Sequence, residues 1–407
     1  MSLTQEILTK CFSIEHYEIV KVDKFSGQLK LHLERVDESL CPHCQQAAKR
    51  YDSTEQQFAI GSLNGCGVYA AVKIYRVHCA YHGVVTEAHG LSEGKQRYSK
   101  TLGQVVTRFS EKLDNQAASE LLGLSASTVY RIDYAELESA LTRYQEAAPE
   151  VKQLSVDEIS YKRRHHYASV ISDYQGGKVL WLEKGRSEAD ISRGYTVLSA
   201  SLKQVDTVTM DFWKPFENAT RKHLPKATIL YDRFHIARLL NRAIETERRA
   251  YQKELPDEQR RQIKRHSRWV LLKRQGNLTD KNQQHLEDLK QMNERLFELY
   301  LLKESFLSIF DDYVTVKEAR QKLFAWIRQV MQLEFTGLKR FAKSILKRLR
   351  AILHWFNKPI SNAKAEGINN VIRTLLKRGY GYKNFDYFRM KVLQKCGYLM
   401  NYVTHTF

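Results

Sequence analysis

The chain has no long hydrophobic run: nowhere in its 407 residues is there the stretch of ~20 apolar residues that a membrane-spanning helix requires. The segment from Met1 to Cys11 also lacks the charged-then-apolar order of a secretion signal. Cysteine is scarce. Of the six in the chain, three fall at metal-ligand spacing, which argues against a disulfide framework and for a reducing compartment. The expected location is therefore cytoplasmic, with the nucleoid of a bacterial cell. The six prolines and 19 glycines never gather into a linker, and no internal repeat or low-complexity tract is present. Acidic residues are the last shortage: 46 Asp and Glu face 65 Lys and Arg, leaving a formal charge of +19. That imbalance is silent on fold but favours a polyanionic partner, above all nucleic acid. The blander reading is a ribosome-associated or merely basic protein.

A chain this long, 43% hydrophobic, has material for two to three compact units. Residues 1–95 mix short β-like runs with cysteines, and residues 96–150 read as helical. Between 151 and 236 come five β-rich runs: Leu154–Ile159, Tyr167–Ile171, Val179–Leu182, Val205–Met210 and Thr228–Tyr231. Residues 237–355 are charged and helical, and a last helical block, 356–407, closes the chain. Strands followed by a long helical stretch predict an α/β or α+β core carrying a helical insertion.

Cys41-Pro42-His43-Cys44 and Cys79-Ala80-Tyr81-His82 are two pairs of candidate ligands. Each pair is separated by two residues, so that each turn can clamp a tetrahedral ion from one side. Cys41, Cys44, Cys79 and His82 are the expected Zn²⁺ ligands. The fourth place stays open to His78, His43 or Cys66. Zinc would then hold together a segment expected to be too short for a core of its own.

Asn115 to Asp133 reads NQAASELLGLSASTVYRID. Ala118 and Leu122 share one helical face, Gly123 can take the positive φ that ends a helix, and Ser125 or Ser127 can cap the next one. With Val129 and Ile132 facing inward, this is the pattern of a helix-turn-helix. Its second helix would offer Ser127, Thr128, Tyr130 and Arg131 to DNA.

Three acids are placed to do chemistry. Asp157 sits in the apolar run LSVDEI, where a buried carboxylate is costly unless paired or bound to metal. Asp211 directly follows the run Val205–Met210. Glu366 lies in SNAKAEGINNVIR. There Ile368, Val371, Ile372, Leu375 and Leu376 are expected to form the apolar stripe, with Asn362, Glu366, Asn369, Asn370 and Arg373 on the polar side. Gly367 costs roughly 1 kcal/mol in mid-helix, and close approach of DNA or another helix would explain it. Acids on strand, strand and helix suit two Mg²⁺ ions that activate one oxygen and stabilise another in phosphoryl transfer. Asp232, in YDRFH after the fifth run, is a rival to Asp211. It and His235 read equally as a structural turn or as support for the site.

At these residues the sequence resembles the ISL3 family of bacterial insertion-sequence transposases. The paired zinc ligands, VDEIS, MDFW, YDRFH, SNAKAEGINNVIR and GYGYKNFDYFR carry the resemblance over nearly the whole chain. It implies a ribonuclease-H-like catalytic domain interrupted by the helical insertion, with catalytic, magnesium-holding acids at Asp157, Asp211 and Glu366. In that family a cysteine is commoner at the position of His82.

Cation runs at Arg248-Arg249, Arg260 to His266 and Leu338 to Arg350 would give the insertion a DNA-tracking surface, while Trp269 and Trp326 are expected in its core. The functional expectation is a transposase that binds terminal inverted repeats, cleaves DNA and transfers the strand to target DNA. Pairing two ends would need a homodimer or higher oligomer on DNA. Three readings compete with it: a catalytically inactive, repressor-like DNA-binding protein, a nuclease without strand transfer, and a ribosome-binding protein.

Overall fold

The computed structural model describes residues 3–14, 16–25, 27–164, 166–257, 260, 270–311, 315–357 and 363–403. Trp269, the cations from Arg261 to His266, and Ser361 and Asn362 lie outside the described residues. The chain divides into two compact units, Met1–Ala147 with Thr374–Phe407, and Ala148–Arg373. The closing block read from sequence as 356–407 is thus shared between them.

The first unit opens with α1 (Leu3–Phe12) and a five-stranded sheet. Its strands are β1 (Tyr17–Phe25), β2 (Gln28–Arg35), β3 (Lys49–Leu63), β4 (Cys66–Cys79) and β5 (Gly83–Thr86). The order is β1-β2-β4-β3, with β5 beside β4. β3 and β4 form a hairpin of 15 and 14 residues, turned by Asn64 and Gly65 at φ 48° and 75°, the left-handed pair a tight hairpin demands. Strands this long alter the expectation of a coreless metal module. Phe12, Ile14, Tyr17, Leu31, Phe58, Ile60, Val68 and Val72 are among the residues of a buried cluster of its own, so apolar burial contributes to folding this region beside any metal.

Next come α2 (Lys100–Lys112), α3 (Asn115–Leu122) and α4 (Ala126–Ala147). Asp114 caps α3 through Ala117 N–H (2.9 Å), and Ser125 caps α4 through Thr128 N–H (3.1 Å). Gly123 ends α3 in the left-handed region, φ 63°. A Cβ there would also strike the β3–β4 turn, 2.2 Å from Gly65 O, so both conformation and close approach require glycine. Ala118, Leu122, Leu124, Val129 and Ile132 are buried together with Leu102 and Val106 of α2. The closing helix Phe385–Cys396 joins this bundle through a buried polar knot. Lys391 donates to Asp133 (3.0 Å) and to Ser110 O (2.6 Å), and Tyr387 OH donates to Asp133 (2.6 Å).

In the second unit the strands are β6 (Gln153–Lys162), β7 (His166–Asp173), β8 (Lys178–Lys184), β9 (Thr207–Met210) and β10 (Thr228–Tyr231). All five β-rich runs of the sequence therefore lie on strands, the fourth shortened to Thr207–Met210. The order is β10-β9-β6-β7-β8. β6, β7 and β8 pair antiparallel, whereas β9 runs parallel to β6 and β10 parallel to β9. After β8 comes α5 (Glu188–Val197), started by a Ser187–Asp190 capping box. It is tied to α6 (Lys214–His223) by the Tyr195–Thr220 hydroxyl pair, 2.7 Å. α7 (Arg233–Glu254) leaves directly from β10. Then follow α8 (Asp280–Met292), α9 (Glu294–Ser308), α10 (Val316–Gln332), α11 (Thr336–Lys347), α12 (Leu349–Asn357) and α13 (Ala363–Arg378).

Trp326 is buried as expected, and its indole N–H donates to Leu302 O (2.8 Å). The cation runs are less free than their composition suggested. Arg248 is buried and bonded to Glu245 (2.7 Å), and Arg260 donates to Gln252 O (3.0 Å) near the end of α7. Arg348 turns in onto Glu217 (2.7 Å). Leu338, Phe341 and Ile345 of this run are buried, whereas Leu346 is exposed.

Candidate active site and metal centres

The strand register brings the acids together. Val156 on β6 lies opposite Met210 on β9, and Met210 opposite Tyr231 on β10. Asp157, Asp211 and Asp232 each follow one of these three, at one level across adjacent strands ~4.8 Å apart. This is the carboxyl end of the parallel strands, where α/β sheets hold their ligands. All three acids are buried.

Each has a specific support. Asp157 accepts from its neighbour Glu158 N–H (2.7 Å) and from the Asn369 amide of α13 (2.6 Å). Asp211 meets His235 Nδ1 at 2.8 Å. Asp232 caps α7 by accepting from Phe234 N–H (3.1 Å), with His235 Nε2 3.6 Å from its carboxylate. Burial, then the neighbouring Asp211 charge, pushes the Asp157 carboxyl above the usual range. Asp211 is also raised, by burial that outweighs the His235 hydrogen bond. For His235, burial opposes the charged ring, but Asp211 overrides it and the imidazole is held above its ordinary value. Two acids forced together out of water, with Asp211 Oδ1 buried and unbonded, have the unmet demand for positive charge that a cation site needs.

Among the described residues, Asp157, Asp211 and His235 form one of two clusters able to hold a metal, with ligand atoms within 4.8 Å of one another. Glu366 stands outside that close group. It is exposed on the first turn of α13 and lines the same cleft of about 860 Å³, together with Asp157, Asp211, Asp232, Arg238 and Arg373.

The sequence placed Asn369 on the DNA-facing side. In the structure it is buried beside Ala365, Ile368, Ile372 and Leu375 and bonded to Asp157, while Val371 is 38% exposed. The buried face is therefore shifted from the expected stripe to take in Asn369, whose amide supports the Asp157 carboxylate. Asn370 and Arg373 remain exposed, bonded to each other (2.9 Å). Among the described residues, nothing beyond its own helical turn comes within 4 Å of where a Cβ at Gly367 would stand. Arg238, which sequence reasoning missed, is exposed in the cleft. Its only signal is its spacing of three from His235, one helical turn on.

The second cluster is Cys41, Cys44, Cys79 and His82. The separations Cys41–His82, Cys44–Cys79 and Cys79–His82 are each 3.6 Å, close to the ~3.8 Å edge of a tetrahedron with 2.3 Å metal–sulfur bonds. The Tyr81 amide, followed by the His82 ring, holds the Cys79 thiol down to about 6, which favours the thiolate a metal binds. His43 stacks on His82 at 5.0 Å, and neither it, His78 nor Cys66 belongs to the cluster.

On α4, Ser127 and Arg131 are exposed and Thr128 is half-buried against Ser125 (2.8 Å). Tyr130 is 36% exposed, its ring edge-on to Tyr387 at 4.8 Å.

Residues 154–392 match the model of an ISL3 family described as "Transposase". The chain is 29% identical over 300 residues to the transposase for insertion sequence element IS1001 of Bordetella parapertussis, covering 73% of each chain. It is 23% identical over 372 residues to the transposase for insertion sequence element IS1557 of Mycobacterium tuberculosis, covering 84% of this chain and 82% of that one. Among solved structures, the Drosophila P element transposase strand transfer complex matches 77% of this chain and 96% of that chain, at 10% identity and a TM-score of 0.39.

Proposed function

Because the chain belongs to the ISL3 family of insertion-sequence transposases, we propose that it binds the terminal inverted repeats of its element. It would then cleave there and join the freed 3′ end to target DNA by a DDE mechanism, using Asp157, Asp211 and Glu366. The observation that carries this reading is the pair of buried acids on adjacent strands, Asp157 within β6 and Asp211 just after β9, opening into a cleft shared with Glu366. The sheet order β10-β9-β6-β7-β8, three antiparallel strands followed by two parallel ones, supports a ribonuclease-H-like core. α7 to α12 would be its insertion.

Magnesium ions bound at the acids would polarise the scissile phosphate and make the attacking oxygen a better nucleophile. The chain's own part is positioning. Asn369 fixes one carboxylate and His235 the other, since groups that hold a metal ligand set its aim. Arg238 and Arg373 offer guanidinium groups to the phosphate oxygens. Cys41, Cys44, Cys79 and His82 would hold zinc as a closed structural site. Gly123 and its flanking helices α3 and α4 would act as the helix-turn-helix, presenting Ser127, Thr128, Tyr130 and Arg131 to the repeat. Cleaving two ends together implies a dimer or larger assembly.

The test is cleavage of labelled DNA bearing the element's own ends in Mg²⁺, wild type against Glu366→Gln. Nicking by wild type, with the variant binding equally but not cutting, is expected. Tight binding without cutting by either protein would favour a repressor-like DNA-binding protein. Cutting by both would move the third acid to Asp232.

A further inference from the structure

The motif GYGYKN after α13 has no part in the chemistry above, yet its geometry is unusual. Tyr380 is fully exposed and held at φ 49°, a left-handed conformation that L side chains avoid. Glycine stands on both sides of it, and Gly381 is also left-handed at φ 88°. The loop is anchored all the same. Gly381 N–H donates to Leu376 O (2.9 Å), and Tyr380 N–H to Lys377 O (3.2 Å). Arg378 donates to Lys112 O, and the next tyrosine, Tyr382, packs on Phe388 at 5.2 Å. A strained backbone thus holds a large ring in water, where glycine would have satisfied the turn without strain.

Beside it lies a groove of about 700 Å³. Tyr130, Tyr382 and Tyr387 line it, the rings of Tyr382 and Tyr387 tilted 55° to one another with centroids 5.8 Å apart. The exposed Lys383 and the Arg378 guanidinium supply positive charge at the same groove. Aromatic faces with cations at the edge are what an unstacked nucleobase and its phosphate need.

We propose that Tyr380 is a stacking wedge and that the groove behind it takes one unpaired base of DNA. This rests on the reading of the chain as a DNA-handling transposase and adds a base-binding subsite to it. The strained turn keeps the ring ready in its binding position, so little ordering is needed on contact.

The experiment is binding in EDTA, without cleavage. The probe is a 30-base-pair duplex carrying one unpaired 2-aminopurine, compared with the fully paired duplex. Wild type should prefer the unpaired probe and quench its fluorescence. Tyr380→Gly should lose about tenfold in affinity for that probe and lose the quenching, while its thermal midpoint stays level or rises because the strain is gone. Tyr380→Phe should bind like wild type. Lys383→Ala should weaken both probes alike and lower the salt slope by about one. If Tyr380→Gly binds and quenches as wild type does, the wedge is refuted while the transposase reading stands. If wild type binds neither duplex, both fall.

Discussion

The two candidate metal sites differ in kind. The Cys41–Cys44–Cys79–His82 cluster is closed: four ligand atoms at tetrahedral spacing come from two turns of one sheet. They leave no position for a substrate, as in structural zinc sites. The carboxylate site is open. Two acids are tightly held, an imidazole and an amide brace them, and Glu366 is exposed in the same cleft. A closed site can only hold a shape. An open one leaves its charge unmet, and on the proposed reading that unmet charge is what it would offer to metal and DNA. Each site lies within its own unit.

The comparison makes its strongest demand at Asp211. Asp211→Asn should cut end cleavage by 1,000-fold or more, about 4 kcal/mol of transition-state stabilisation, with an unchanged melting curve. Single-turnover nicking set beside calorimetry reads both. A variant that melts early would mean the acids build the fold rather than the reaction.

Cys44→Ser should do the opposite. The thermal midpoint should fall by roughly 5–10 °C, about 2–3 kcal/mol for a unit this size, and zinc content by about one equivalent. Cleavage per folded molecule should survive. Outright unfolding would show that the apolar cluster around Phe58 and Val68 cannot sustain the sheet without metal.

The smallest effect is expected at Asn369→Ala, which removes the amide from Asp157 without touching the metal ligands. Cleavage should slow about 10- to 30-fold, with a higher Mg²⁺ requirement and repeat binding unchanged in gel-shift titrations. Weakened DNA binding with intact chemistry would restore Asn369 to the DNA-facing side on which the sequence placed it.

Much is legible in the sequence alone. The β-rich runs from Leu154 to Tyr231 and the helical pair around Gly123 are written in local periodicity and turn chemistry. So is the Cys-x-x-Cys…Cys-x-x-His spacing, because two residues between ligands already form a clamp. Asp157 and Asp211 were legible as acids at apolar strands. What paired with them was not. His235 sits three residues after Asp232, so spacing points to that neighbour, yet its 2.8 Å contact is with Asp211, reached only because β9 and β10 lie side by side.

By itself, then, the sequence determined the strands and helices, the spacing of the cysteine and histidine ligands and which acids end apolar runs, since these depend on neighbours a few residues away. Tertiary structure alone decided that Asn369 turns inward to Asp157 across 212 residues. It also decided that Lys391 joins the closing helix to Asp133 across 258, and that three acids stand level across three adjacent strands. The physical reason is that helix rotation and strand order are set by how buried faces pack, and that packing is not encoded in any local stretch of chain.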